Sequence, residues 1–216
     1  MYLLYPYPIF RRIFFPILKL FIKEVKGIEN LPEQGPYIVA ANHTSSLDGY
    51  FLASLIIPRV KKKVHFFARQ AKYGSFAGNW VARHWAGCIL VDPEDKSKTI
   101  NEATRFLKKG RVVAIFPEGM AHKEGRLNKG KTGLARIILE NRIPIIPVGV
   151  SSNMALVFEK ALRQLFLFKG RISFFIGKPI TLYEYYQKPA NKELLEEITN
   201  KIMKEIGKMA QLPYNY

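Results

Sequence analysis

Short apolar runs alternate with longer amphipathic stretches along the chain from residue 36 to residue 150. Each apolar run is bounded by Gly, Pro or charged residues, which is typical of buried strands. The longer stretches carry apolar residues at helical spacing and often end at Gly or Pro. Strands are predicted at 37–40, 64–68, 88–91, 112–116, 143–150 and near 171–176, and helices at 48–57, through Trp80 and Trp85, and at 97–108, 131–141 and 191–209.

This order of elements predicts an α/β fold, in which a central mostly parallel or mixed sheet is flanked by helices. The 216 residues are enough for one sizeable core and few for two, and neither a repeat nor a low-complexity linker interrupts the pattern. A single domain is therefore expected. Within it, Pro58 is predicted to end the helix that begins at Asp48.

The N-terminal segment is rich in Ile, Leu, Phe and Tyr but contains Arg11, Arg12 and Lys19. A membrane-spanning helix needs about 20 largely apolar residues, and the prolines at positions 6, 8 and 16 are predicted to break any long helix. A secretory signal is not expected, because no small-residue cleavage site follows. Residues 1–27 are predicted to form a helical segment at the membrane interface, and residues 28–216 the folded domain. The alternative is an arm packed on that domain.

Charge narrows the class of partner. The chain has 34 basic and 17 acidic residues, which gives a formal net charge of +17. Such an excess predicts an anionic partner, and both nucleic acid and an anionic membrane qualify. The single cysteine, Cys88, excludes an internal disulfide framework and is expected to be a small core residue.

Candidate chemistry follows the strand predicted at 37–40. His43 comes soon after this strand, and Asp48 stands five positions later. On one continuous helix they would not share a face, so a turn is needed between them, and the three hydroxyl residues at 44–46 favour one. An aspartate hydrogen-bonded to one imidazole nitrogen raises the basicity of the other, which can then take a proton from an alcohol. An ordinary helix cap at Asp48 is the alternative.

A second polar turn follows the strand predicted at 112–116. It contains Glu118, within the run Phe116-Pro117-Glu118-Gly119. Sites in open α/β sheets form at the carboxyl ends of strands, which makes Glu118 a candidate for the same site as His43. The alternative is a solvated carboxylate in a turn.

Together these motifs resemble those of the glycerolipid acyltransferases, the family of 1-acylglycerol-3-phosphate acyltransferase. The matching residues are Asn42, His43, Ser45 and Asp48, the runs 87–92, 116–119 and 144–148, and Gly125, Leu127, Lys129 and Gly130. The resemblance covers roughly residues 28 to 180. It identifies residues 28–216 as an acyltransferase catalytic domain with its blocks in the family's order.

The resemblance implies transfer of a fatty acyl group from acyl-CoA or acyl-carrier protein to the hydroxyl of a lysophospholipid, most directly 1-acylglycerol-3-phosphate, in phospholipid biosynthesis. His43 would deprotonate the acceptor, Asp48 would orient His43, and Glu118 and Gly119 would shape the acceptor site. No metal or other cofactor is expected. With the N-terminal segment, this implies a monotopic enzyme on an anionic membrane surface, at its cytoplasmic face, without a nucleic-acid partner.

The chain departs from the family where the acceptor phosphate is usually held. Ala121 and Pro93 stand in place of the usual arginines, whose bidentate, charge-assisted phosphate contacts they cannot replace. Either the head group differs or another basic residue binds it. The candidates are Arg69, Lys72, Lys123 and Arg126, with Lys72 favoured, and the alternative for each is a solvated surface charge.

Two rival functions stay open at this point. One is an acyltransferase of the same fold with another lysolipid or alcohol as acceptor. The other is a basic nucleic-acid- or lipid-binding domain without catalysis, although no aromatic-and-basic strand signature, zinc motif or recognition helix supports it. A metal site involving His122 is not supported by the spacing of ligand residues.

Overall fold

A computed structural model describes residues 6–69, 80–92, 94–122 and 125–216. The helices are α1 (Pro6–Lys19), α2 (Asp48–Val60), α3 (Lys96–Lys108), α4 (Gly133–Asn141), α5 (Phe158–Phe166) and α6 (Lys192–Ala210), with a π-helix at Val81–Ala86 and 3-10 turns at Ile28–Asn30 and Tyr183–Tyr185. The strands are β1 (Ile22–Lys26), β2 (Tyr37–Ala41), β3 (Val64–Arg69), β4 (Ile89–Val91), β5 (Val112–Ile115), β6 (Ile145–Ser152) and β7 (Ile172–Ile176).

These strands of the described residues form one sheet in the order β1-β7-β6-β2-β5-β3-β4. The central strands β6, β2, β5, β3 and β4 run parallel to one another. β7 is antiparallel to β6, and β1 runs parallel to β7 at the edge. The sheet is therefore mixed with a parallel centre, and the predicted fold class is confirmed.

Both faces of the sheet are covered, because alternate residues of the central strands enter different cores. In β2, Tyr37, Val39 and Ala41 join one core with residues of α1, α2 and α5. Ile38 and Ala40 join the other core with residues of α3, α4 and α6. A strand buried on both faces is a continuous apolar run in sequence, which is why β2 was predictable.

The prediction that Pro58 ends α2 is wrong, because the helix continues to Val60. Proline removes one backbone donor from a helix. However, Ile57 and Val60 are both buried, and the N–H of Lys61 closes the last turn on the carbonyl of Ile57 at 2.9 Å. Packing of these side chains therefore outweighs the lost hydrogen bond.

The N-terminal segment forms α1 in spite of its prolines. The prolines at positions 6 and 8 lie in the first turn, where backbone N–H groups have no helical acceptor. Phe15 and Leu18 pack into the core. Three other apolar side chains of this segment are 47–68% exposed, namely Ile13, Ile17 and Leu20. Among the described helices, none combines the length and apolarity that crossing a membrane requires.

Two elements, β1 and α5, have no counterpart in the predictions from sequence. β1 contains Lys23, Glu24 and Lys26 among its five residues, so it lacks an apolar run and forms through pairing with β7. The apolar residues of α5, at positions 158, 161, 162, 165 and 166, follow the helical period, so this helix was detectable from sequence and was missed. The other described elements lie within a few residues of their predicted bounds, and residues 70–79, part of the turn and helix predicted before β4, lie outside the description.

Candidate active site

Two neighbouring strand ends carry His43 and Glu118. β2 and β5 are paired, with Ala40 opposite Ile115, so the segments after these strands leave the sheet side by side. The backbone N–H of His43 donates to Glu118 Oε1 at 3.0 Å, and the N–H of His122 donates to the carbonyl of His43 at 3.0 Å. The structure therefore brings the two predicted motifs into one site.

The imidazole of His43 contacts the carboxylate of Asp48. His43 Nδ1 lies 3.0 Å from Asp48 Oδ2, and the side chains are 20% and 0% exposed. Residues 44–47 form the turn that joins them before α2 begins. An ionised carboxylate accepts a hydrogen bond from Nδ1–H, and this tautomer leaves Nε2 unprotonated. The pair therefore presents Nε2 as a base.

Backbone donors hold the Asp48 carboxylate in place. The N–H groups of Thr44 and Ser45 donate to Oδ2 at 2.6 and 2.8 Å, and the Thr44 hydroxyl lies 3.3 Å from Oδ1. Charge-assisted bonds of this kind offset the desolvation of a buried anion. Asp48 is the first residue of α2, after the N-cap Leu47, and its carboxylate accepts from N–H groups that precede the helix, so it is not the ordinary helix cap considered from sequence.

Phe116 supports the flat face of the His43 ring. The two ring centroids are 4.1 Å apart with an interplanar angle of 14°, and Phe66 lies beyond at 6.4 Å from Phe116. With Nδ1 on Asp48 and one face on Phe116, the orientation of the imidazole is restricted from two directions. Stacked pairs of this kind contribute about 0.5 to 1.5 kcal/mol beyond their buried area.

Asn42 and Ser45 attach this turn to β6 and to the segment after it. The Asn42 side chain donates to the carbonyl of Val150 at 2.9 Å and accepts from the N–H of Val150 at 2.6 Å. Ser45 Oγ donates to the carbonyl of Ala155 at 2.8 Å. The side chains matched in the family's first block therefore hold the backbone around His43, and they place residue 155 beside the site.

Glu118 is a buried acceptor and not a solvated turn carboxylate. Its side chain accepts from the N–H groups of His43 at 3.0 Å and Asn128 at 2.7 Å, and it also contacts His122 Nε2. His122 was considered from sequence only as a metal ligand. Among the described residues, no group of His, Cys, Asp and Glu side chains has the composition to hold a metal ion. Glu118 therefore joins the turn after β2 to the loops after β5.

Gly119 allows Lys131 to approach the turn after β5. Its φ angle is +78°, and a Cβ built on it would lie 2.5 Å from Lys131 Nζ. The N–H of Lys131 donates to the carbonyl of Pro117 at 2.9 Å, and the residue is exposed. The missing side chain at position 119 therefore leaves room for an ammonium group against the turn that contains Glu118.

Lys131 was not among the candidates from sequence. The resemblance matched the nearby basic residue to Lys129, but Lys129 Nζ lies 4.0 Å from Glu196 on α6. Two lysines only two positions apart are indistinguishable as charges in the sequence. The contact of Lys131 with Gly119 is therefore the signal that separates them.

The other basic candidates are only partly described. Lys72 and Lys123 lie outside the described residues, and so does the side chain of Arg69, the last residue of β3. β3 pairs with β5, so the backbone of Arg69 ends next to the strand that leads to Glu118. Arg126 is exposed on the loop before Asn128.

Two further titratable groups, His65 and Cys88, are withdrawn from solvent by the surrounding fold. Burial lowers the pKa of His65 to about 4, and its Nδ1 lies 2.7 Å from the carbonyl of Gly87. Burial raises the pKa of the half-buried Cys88 thiol to about 11. Both side chains are therefore uncharged near neutral pH, and neither contributes an ionised group to the site.

Comparison with known proteins identifies relatives that match most of the chain. Residues 23–151 match the model of a family described as Acyltransferase. The chain is 30% identical over 208 residues to the 1-acyl-sn-glycerol-3-phosphate acyltransferase of Saccharomyces cerevisiae, covering 91% of this chain and 65% of that protein. It is 26% identical to the protein of that name from Bacillus subtilis, covering 88% and 90%.

The chain spans only about half the length of several other relatives. In structure, it is similar to the crystal structure of the 1-acyl-sn-glycerophosphate (LPA) acyltransferase PlsC from Thermotoga maritima. The TM-score is 0.61 at 19% sequence identity, and the similarity covers 95% of this chain and 83% of that one. The overall fold is therefore shared.

Proposed function

The chain belongs to the Acyltransferase family, and we propose that it transfers a fatty acyl group from a thioester to the hydroxyl of a lysophospholipid. The observation that carries the proposal is the contact between His43 Nδ1 and the buried Asp48 carboxylate, at the end of a central strand. The names of the relatives favour 1-acyl-sn-glycerol-3-phosphate as acceptor and phospholipid synthesis as the process.

The proposed reaction uses the unprotonated Nε2 of the His43 imidazole. His43 Nε2 takes the proton of the acceptor hydroxyl while the acceptor oxygen attacks the thioester carbonyl. The C–O bond forms, the C–S bond breaks, and the proton passes from His43 to the departing thiolate. Asp48 stabilises the imidazolium that exists between these two transfers. Acyl-CoA and acyl-carrier protein both supply the required thioester.

A product screen tests the proposal. The purified protein is incubated with mixed acyl-CoA and acyl-carrier-protein donors and a panel of lysolipids, and the products are identified by mass spectrometry. Phosphatidic acid is the expected product. Acylation of a different lysolipid would favour the same chemistry with another acceptor. Absence of any acylated product, with binding to nucleic acid but not to anionic vesicles, would instead support the non-catalytic basic domain.

Lys131 is the described basic residue best placed to hold an acceptor phosphate. It lies against Gly119, the residue after Glu118, and Glu118 binds the backbone of His43. Lysine binds phosphate as a point charge where an arginine fork is missing. We infer that Lys131, with contributions from Lys72, Lys123 or Arg126, substitutes for the arginines replaced at Ala121 and Pro93.

Substitution of Lys131 by methionine is expected to lower kcat/KM for lysophosphatidic acid by about 10- to 100-fold, the equivalent of one charged hydrogen bond. The KM of the thioester donor should change little. Lys129→Met, two residues away and directed toward Glu196, is the matched control. An unchanged preference for phosphate monoesters in Lys131→Met would exclude Lys131, and Lys72→Ala, Lys123→Ala and Arg126→Ala would then identify the binding residue.

We also infer that α1 lies in an anionic membrane interface. Its exposed side chains include Ile13 and Ile17, and the exposed cations Arg12 and Lys19 accompany them. Apolar side chains in the acyl region and cations at the head groups are the pattern of an interfacial helix. The cytoplasmic face is the proposed location, because its anionic lipids attract a basic surface.

Replacement of Ile13, Ile17 and Leu20 by glutamine is expected to weaken binding to anionic vesicles by about tenfold or more, given the apolar area withdrawn from lipid. Point substitutions are preferable to deletion of α1, because Phe15 and Leu18 belong to the core. The control replaces Ile13 and Ile17 by leucine, which preserves apolarity. Equal co-sedimentation of the glutamine variant and the wild type would place the membrane contact elsewhere.

A further inference from the structure

A second exposed apolar cluster lies at the C-terminal end of α5. Phe166, Leu167 and Phe168 follow one another and are 77%, 52% and 65% exposed. Single exposed apolar residues are ordinary, but a contiguous patch marks an interaction site. Residues 166–168 form a short apolar tip at the end of α5, named the tip.

Hydrogen bonds within the protein hold the tip in this exposed position. The N–H groups of residues 167–170 donate to carbonyls in the last turn of α5, at 2.9 to 3.1 Å. The guanidinium of Arg171 donates to the carbonyls of Phe168 and Gly170 at 3.0 and 2.7 Å. Backbone groups that are paired internally do not need water. The tip can therefore enter an apolar phase without leaving these groups unsatisfied.

The tip adjoins the exposed apolar side of α1. The ring of Phe168 stacks on that of Phe21, with centroids 5.5 Å apart, and Phe21 directly follows the exposed Leu20. The N–H of Ile172 donates to the carbonyl of Phe21 at 3.1 Å, which fixes the start of β7 beside the end of α1. The tip and the end of α1 are therefore neighbours in the fold, although they are distant in sequence.

Charge around the tip favours one kind of occupant. The acidic residue of α5, Glu159, stands at the helix end remote from the tip. Exposed basic residues near the tip and near the end of α1 include Lys19, Lys23, Arg163, Lys169 and Arg171. An apolar patch with basic neighbours matches an anionic lipid surface. A second copy of this chain would instead bring like charges together.

We propose that the tip inserts into an anionic lipid surface as a second attachment point beside α1. The inference deepens the membrane part of the proposed function and rests on it. Two attachment points prevent rotation about a single contact and so set the orientation of the domain. The segment that leads into α5 includes Ala155, bonded to Ser45, and the exposed Leu156 and Val157. Insertion of the tip would therefore hold the His43 turn at a defined angle to the lipid.

Fluorescent labelling tests the insertion directly. An environment-sensitive NBD label is placed at Leu167→Cys in a Cys88→Ser background, and vesicles contain phosphatidylglycerol with or without a doxyl-quencher lipid. The label is expected to brighten by several-fold on vesicles and to be quenched by the doxyl lipid. The control label is placed at Tyr183→Cys. Tyr183 is 72% exposed, and its sequence neighbours Leu182 and Tyr185 belong to the core on the other face of the sheet. A label at this position should therefore not respond to vesicles.

A binding experiment provides the second measurement. The Phe166→Ser and Leu167→Ser double variant is expected to bind the same vesicles about tenfold more weakly than the wild type, given the apolar area removed. Tyr183→Ser, which removes an equally exposed aromatic ring, should bind like the wild type. Acylation of a lysolipid kept below its critical micelle concentration should be similar in all three proteins.

The outcomes separate this inference from the proposed function. If the label at position 167 does not respond to vesicles while the α1 glutamine variant loses vesicle binding, insertion of the tip is refuted. The proposed membrane contact of α1 and the proposed acyl transfer would be unaffected. If the label is shielded in the absence of lipid, and the shielding increases with protein concentration, the tip contacts a second copy of this chain. That result would overturn the proposal of lipid insertion. If the label inserts into vesicles but the wild-type protein shows no acyl transfer, insertion of the tip is supported and the enzymatic proposal is refuted.

Discussion

Replacement of His43 by alanine is expected to reduce acyl transfer by about 10²- to 10⁴-fold, the range for loss of a general base, while the fold is retained. The backbone of His43, and not its ring, is bound by Glu118. The turn therefore stays attached to the loop after β5 when the ring is removed. The measurement is kcat at saturating donor and acceptor, together with thermal unfolding followed by circular dichroism.

The matched control is His84→Ala, which removes an exposed imidazole from the π-helix. Its rate should equal that of the wild type. Retention of more than about a tenth of the rate in a well-folded His43→Ala protein would be too much for loss of a general base. That result would require another group to activate the acceptor hydroxyl.

The part of the site that is local in sequence was predictable. His43 and Asp48 stand five positions apart with hydroxyl residues between them, and turn formation by such residues is a local property. The apolar runs that became β2 and β5 were also predictable, because strands buried on both faces are continuous in sequence. The resemblance to the acyltransferases added the order of the blocks, and the match of residues 23–151 confirms the family.

The contacts of Glu118 and Lys131 were not predictable, because they depend on how distant segments meet. The Glu118 carboxylate binds backbone N–H groups at positions 43 and 128, and side-chain identity carries no information about backbone donors. Lys131 becomes distinct from Lys129 only because Gly119 lacks a side chain. Both relationships arise from the pairing of β2 with β5 and the path of the following loop.

The two missed elements differ in how far their own sequence indicates them. β1 is stabilised by its partner β7, so its own residues need not form an apolar run, and it was not predictable. The apolar residues of α5, at positions 158, 161, 162, 165 and 166, follow the helical period that sequence analysis detects. α5 was therefore predictable as a helix, whereas the exposure of the tip at its end depends on tertiary contacts.

Replacement of Asp48 by asparagine is expected to reduce kcat by about 10²- to 10⁴-fold with a modest loss of stability, because it removes the charge and preserves the shape. The donors of His43, Thr44 and Ser45 all point to Oδ2. An amide oxygen placed there accepts the same three bonds, and the amide nitrogen faces the Thr44 hydroxyl near Oδ1. The loss of activity would therefore report the missing negative charge beside the imidazolium.

Asp95→Asn is the matched control for this substitution. Asp95 also accepts backbone N–H bonds at a helix start, from Ser97 at 3.0 Å and Lys98 at 3.3 Å, but it caps α3 in a different part of the fold. If Asp48 serves only to hold the turn of residues 44–47, both asparagine variants should keep the wild-type kcat and differ only in unfolding temperature. If Asp48 stabilises the charged His43, only Asp48→Asn should lose turnover, because the imidazolium has then lost its anionic partner.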